Sequence, residues 1–124
     1  MLQGCRRLGR VEVRVELSNP EAGTNAAEVG LVDTGAALTV LPRKLAETLR
    51  LSVKDEAKAM TAGGPISIQL SEVQVRIGEK IATVRVAISN VIDRVLIGVT
   101  TLETLGLIVD PVTSQVKESY YLLY

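Results

Sequence analysis

The sequence contains no histidine, no tryptophan and no phenylalanine, and has a single cysteine, Cys5. Without histidine, every catalytic triad that relies on an imidazole is excluded. One thiol and no imidazole leave too few soft ligands for a zinc site. A lone cysteine forms no disulfide within the chain, which fits a reducing compartment and leads us to expect a cytoplasmic protein. Fourteen basic residues balance fourteen acidic ones. There is no basic surplus for nucleic acid, and with three tyrosines as the only aromatics there is no platform for stacking bases. No apolar run approaches the roughly 20 residues of a membrane span. The opening residues carry charge (Arg6, Arg7, Arg10) but no apolar stretch, so no signal peptide is expected.

What is present is aliphatic. Hydrophobic residues make up 47% of the 124, enough for the core of one compact domain spanning 1–124. Valine is frequent, and β-branched side chains suit a pleated sheet. Residues 11–17 alternate apolar and charged with period two, as a half-buried strand does. A turn is expected over 18–25 and a second strand over 28–32. Pro42 at a first helical position, with apolar residues at 45, 46 and 49, predicts a short helix. Alternation returns near Val53 and recurs over 66–70, 73–77 and 81–88. Ala62-Gly63-Gly64-Pro65 and Gly78-Glu79-Lys80 mark the turns. Val95-Leu96-Ile97 reads as a buried strand. Residues 99–105 read as a helix stopped by Gly106, followed by strand 107–109, a turn at 110–113 and a last extended segment. The expected class is all-β: a small closed or sandwiched barrel with one or two short helices.

The chemistry concentrates at Asp33-Thr34-Gly35. Asp and Gly are ordinary turn residues, and the bare tripeptide is a weak signal. Its setting is stronger: Val29-Gly30-Leu31-Val32 precedes it and Ala36-Ala37-Leu38-Thr39-Val40-Leu41 follows. A carboxylate embedded in core-like sequence needs a compensating reason. Two such carboxylates about 3 Å apart cannot both ionise, so one serves as base and the other as acid. Together they would activate a water for attack on a peptide carbonyl. Thr34 would turn inward and brace the loop through its hydroxyl. Gly35 would let another backbone approach.

These residues resemble the retroviral-like (retropepsin) aspartic peptidases. The resemblance rests on Val32-Asp33-Thr34-Gly35-Ala36, continuing to Pro42, and on Val95-Leu96-Ile97-Gly98 with the helical segment to Leu107. Ala62-Gly63-Gly64-Pro65 lies between them, where the family has its mobile flap. The likeness covers roughly residues 11 to 112. It implies a barrel of the acid-protease type, active as a homodimer with Asp33 from each chain as the catalytic carboxylates. It implies that Thr34 hydrogen-bonds across to the partner, and that Gly35, Ala36, Ala62, Gly63 and Gly64 meet the backbone of a peptide or unfolded protein substrate. It implies no metal and no organic cofactor. No second Asp-Thr-Gly or Asp-Ser-Gly occurs, so a second copy must supply the other acid. Viral members often carry an acid two residues after the motif glycine and an Arg after the second glycine. Here Ala37 and Val99 stand there, so that interface ion pair is lost from both sides.

Leu38, Ile66 and Ile97 are candidate pocket residues, each equally explained as core. Residues 120–124, with three tyrosines and two leucines, read as either a packed terminal strand or a partner contact. Two other functions compete with peptide hydrolysis. One is an inactive module of the same fold that binds peptide or dimerises. The other is an enzyme using Asp33 as a lone acid or nucleophile.

Overall fold

The computed structural model describes residues 11–120 and Leu123. Cys5, Arg6, Arg7, Arg10 and most of the tail fall outside the described residues, and with them the readings made of those side chains.

Among the described residues nine strands and two short helices follow one another. Strands β1 (Val11–Asn19) and β2 (Thr24–Val32) form a hairpin in register from Val11↔Val32 to Asn19↔Thr24. Next come β3 (Thr39–Pro42), α1 (Arg43–Thr48), β4 (Asp55–Thr61), β5 (Gly64–Ile77) and β6 (Lys80–Ser89). The chain ends with β7 (Leu96–Ile97), α2 (Val99–Leu105), β8 (Leu107–Asp110) and β9 (Gln115–Glu118). The main sheet runs β1-β2-β7-β3-β6-β5-β4, and β1 also pairs with β5 through Glu16↔Arg76 to Ser18↔Gln74. That extra pairing closes six strands into a ring, leaving β4 outside as one arm of a hairpin. Closure removes the free edges that an open sheet would expose. Strands β8 and β9 form a separate two-stranded sheet.

The period-two pattern puts the core where the sequence implies. Val11, Val15 and Leu17 point inward from β1, while Glu12, Arg14 and Glu16 are exposed. Val73, Val75 and Ile77 of β5 and Val84, Val86 and Ile88 of β6 join them, with Ile97 and Leu41 fully buried. On β6, Ala87 is buried as well, because this stretch of strand carries helices on its outer face. At about 25 cal/mol per Å², such aliphatic burial is the main stabilising contribution.

Four boundaries differ from the sequence reading, each for a tertiary reason. The turn between β1 and β2 narrows to residues 20–23 from the expected 18–25, with β1 running to Asn19 and β2 beginning at Thr24 rather than 28, because the strands pair as far as Ser18↔Asn25 and Asn19↔Thr24. Residues 66–70 and 73–77 belong to one continuous 14-residue strand rather than two. Ser71 does not break it: the side chain is buried, with its hydroxyl donating to the Ser52 carbonyl at 2.6 Å. Residues 39–42, read only as apolar, form β3 parallel to β6 from Thr39↔Val86 to Pro42↔Ser89. Pro42 therefore closes a strand and stands at the N-cap of α1 with ψ 146°, one position before the first helical turn. The other signals fall as read. Gly78-Glu79 makes the β5–β6 turn, with Gly78 at φ 61°. Gly106 ends α2 in the left-handed region, at φ 71° and ψ 36°.

Candidate active site

Strand β7 lies between β2 and β3, parallel to β2 and antiparallel to β3. The connection from β2 to β3 must therefore pass over the end of β7, and that connection holds Asp33. Its N–H donates to the Ile97 carbonyl at 2.9 Å, which fixes the residue at the strand end. The loop then turns: the Ala36 N–H donates to the Asp33 carbonyl at 3.0 Å, and the Gly35 N–H donates to Asp33 Oδ1 at 3.0 Å. Gly35 is thus positioned by the acid itself. Asp33 is half-buried, and its other carboxylate oxygen accepts no hydrogen bond among the described residues.

A second layer holds the loop from below. The Val99 N–H donates to the Ala36 carbonyl at 2.9 Å, and the Thr100 hydroxyl donates to the Ala37 carbonyl at 2.6 Å. The first turn of α2 is thereby bonded to the loop. Thr39 and Thr101, both fully buried, place their hydroxyls 2.6 Å apart. The Gly98 N–H donates to Thr39 Oγ1 at 3.1 Å, so each of these buried polar groups finds a partner. Gly98 is required for steric reasons: a Cβ there would sit 2.3 Å from the Leu38 carbonyl carbon and 2.8 Å from the Thr39 nitrogen.

Thr34 is placed differently from the inward orientation the sequence suggested. It is exposed, and its hydroxyl makes no hydrogen bond among the described residues. Within the chain Thr39, Thr101 and Gly98 brace the loop instead, because they lie where β3, β7 and α2 converge. Ala36 is half-buried beneath the turn.

The face carrying Asp33 follows from alternation. Gly30 and Val32 are buried inward, so Leu31 and Asp33 share the outward face of β2. Leu31 pairs with Leu96 on β7, which pairs with Val40 on β3. Directly opposed residues share a face. Leu31, Leu96 and Val40 thus form a row of partly exposed aliphatic side chains, one row below Asp33. Of the pocket residues read from sequence, Ile97 is fully buried and belongs to the core, Leu38 is half-buried, and Ile66 is 48% exposed on the hairpin. The aliphatic row was missed because its members are found by counting in twos from Asp33 and then across the register.

Ala62 and Gly63 form the tip of the β4–β5 hairpin, with Gly64 opposite Thr61 in the first bridge. The Gly63 N–H donates to Thr61 Oγ1 at 3.1 Å, and the Thr61 hydroxyl donates to the Gly64 carbonyl at 2.8 Å. Gly64 takes φ 113°, a conformation side-chain-bearing residues rarely adopt. Among the described residues no hydrogen bond joins this tip to the Asp33 loop. A groove of about 260 Å³ lies at the hairpin's base, lined by Arg43, Gln69 and Asn90 among others, and excludes the Asp33 loop. Among the described residues no three His, Cys, Asp or Glu side chains gather as a metal site, and no helix is long and apolar enough to cross a membrane.

Comparison with known proteins agrees with this architecture. EIAV protease complexed with the inhibitor HBY-793 superposes with a TM-score of 0.61 at 19% identity, over 78% of this chain and 88% of that one. At that identity the likeness concerns the fold, which is the closed barrel of retroviral proteases. A family model described as "gag-polyprotein putative aspartyl protease" matches residues 25–104, well over half of the sequence. The chain belongs to this retropepsin-like family of aspartic peptidases. No curated protein matches the sequence.

Proposed function

We propose that the chain is the subunit of a homodimeric aspartic endopeptidase in which Asp33 from each copy forms the catalytic pair. The observation that carries this reading is the Asp33 carboxylate itself. It is held at a strand end by backbone hydrogen bonds, faces outward, and keeps one oxygen without a donor among the described residues. One such acid is half of a general acid–base device, and a two-fold interface supplies the other half with identical geometry. One carboxylate takes a proton from a water as its oxygen attacks the peptide carbonyl carbon. The other gives a proton to the carbonyl oxygen. The tetrahedral diol collapses as the amide nitrogen is protonated and the C–N bond breaks. One proton is shared between the two carboxyl groups at the start of the cycle.

The surrounding residues take roles that fit their positions. Thr34, exposed at the loop, is free to bond across to the partner loop. Gly35 and Ala36 meet the substrate backbone from the floor, and Ala62, Gly63 and Gly64 close over it. The peptide binds extended, adding strand-like hydrogen bonds. Leu31, Leu96 and Val40 favour apolar side chains next to the cleaved bond.

The test is an Asp33→Asn variant beside wild type on an unstructured protein at acidic pH. Wild type cleaves, and the variant loses about a thousand-fold in rate while remaining dimeric. Equal results from the two would favour a binding module. Activity from a stable monomer, insensitive to statine-type transition-state mimics, would favour a lone-acid enzyme.

A further inference from the structure

An ion pair bridges the outward face that carries Asp33. Arg94 Nη2 lies 2.9 Å from Glu12 Oε2. Glu12 sits on β1 directly opposite Leu31, and Arg94 lies two residues before Leu96. Because β2 separates β1 from β7, the pair reaches across β2 and bounds the aliphatic row on the side away from Asp33. We propose that this pair, and Arg94 above all, makes the peptidase select an acidic substrate side chain beside an apolar cleavage site. The inference rests on the peptidase reading above.

Three observations give the sign. A guanidinium carries five donors, and Glu12 occupies one of them. Arg94 Nε is shielded from solvent and has no acceptor among the described residues, so the Nη groups are the edge open to a ligand. Arg14, two residues along β1 from Glu12 and on the same exposed face, adds a second guanidinium, and Glu16 beyond it is paired with Arg76 at 3.8 Å. An incoming carboxylate gains a charge-assisted, bidentate partner in Arg94. An incoming ammonium meets two guanidinium groups and one carboxylate already engaged.

Register also gives the position. Glu12 is level with Leu31, two residues short of Asp33, or about 7 Å along the strand. For a peptide lying along β2, which advances about 3.3 Å per residue, the selected side chain is the second or third residue from the cleaved bond. In a symmetric dimer the same selection acts on both sides.

The experiment starts from sites that the wild-type protein cuts in denatured casein, identified by mass spectrometry. Peptides around one site are synthesised with Glu, Gln or Lys at each of the three residues on either side. The same peptides, fluorescently labelled, are titrated against Asp33→Asn, so that selectivity is readable without turnover. Glu over Lys at the second or third residue is expected to favour kcat/KM and binding by about ten-fold, shrinking with added salt. In Arg94→Gln that ratio falls to about one, whereas Arg94→Lys, which keeps the positive charge, retains a preference for Glu. A ratio unchanged in Arg94→Gln, or a wild-type preference for Lys, overturns the inference. Absence of cleavage with intact Glu-selective binding would instead overturn the peptidase reading and leave the selectivity standing.

Discussion

At the scale of single residues, the site depends on groups that never reach its surface. Gly98 packs its Cα against the backbone of Leu38 and Thr39, and α2 begins at the next residue. Gly98→Ala forces backbone against backbone, which no side-chain rotation relieves. We expect a loss of about 3 kcal/mol in chemical denaturation, with any folded remainder showing a displaced Asp33 loop. Asp33, Gly35 and Gly98 were legible in the sequence because each stands in a short contiguous motif. Leu31, Leu96 and Val40 were not, because they share a face only once the register of three strands is known. The inward role given to Thr34 failed for a related reason. The hydroxyls that hold the loop, Thr39 and Thr101, are separated by 62 positions in sequence.

At the scale of elements, two polar residues join parts that the hydrophobic pattern does not. Asn19, buried at the end of β1, donates from Nδ2 to the Leu49 carbonyl at 2.9 Å and to the Arg50 carbonyl at 3.0 Å. It thereby satisfies the open end of α1, where Arg50 has turned to φ 57°. In sequence Asn19 is simply a turn residue. Asn19→Ala removes the donor to the Arg50 carbonyl, while the Leu49 carbonyl keeps the Thr24 hydroxyl at 2.6 Å, and should cost about 1 kcal/mol, read as a lower urea midpoint at unchanged m. Asp110 plays a similar part in the β8–β9 hairpin. The Val112 N–H, donating to Oδ1 at 2.9 Å, holds its carboxyl below the usual carboxylate range, and Lys117 at 3.4 Å adds to this. A lowered folded pKa means stability that is complete above the unfolded value, about 4. That stability is lost as pH falls through the folded value. Amide exchange of β8 and β9 should therefore quicken below about pH 4 in wild type. In Asp110→Asn, which has no carboxylate to protonate, it should be pH-independent apart from the intrinsic chemistry. Equal profiles would contradict the role. Turns such as Gly78-Glu79 and the stop at Gly106 were legible because the residue itself fixes the backbone. Strand β3 was not: at four residues ending in proline it has little strand signal, and its partner β6 lies more than forty positions away.

At the scale of the molecule, the closed ring holds one acid at the end of a strand. Six strands close through β1 and β5, so the barrel needs no partner to finish its sheet. The Asp33 loop, by contrast, presents an exposed Thr34 and a carboxylate with one oxygen lacking a donor among the described residues. The groove at the base of the β4–β5 hairpin does not include that loop. The barrel class could be read from sequence. How a second copy would dock could not, because Ala37 and Val99 stand where viral members of the family often carry charged residues.

Mixing subunits tests this account most directly. Wild type and Asp33→Asn are combined at fixed total concentration, allowed to exchange, and assayed on the same peptide. If each active unit needs Asp33 from both copies, activity follows the square of the wild-type fraction, falling to about a quarter at an equal mixture. Activity that instead falls in proportion, to about half at an equal mixture, would show that one Asp33 suffices and would contradict the account.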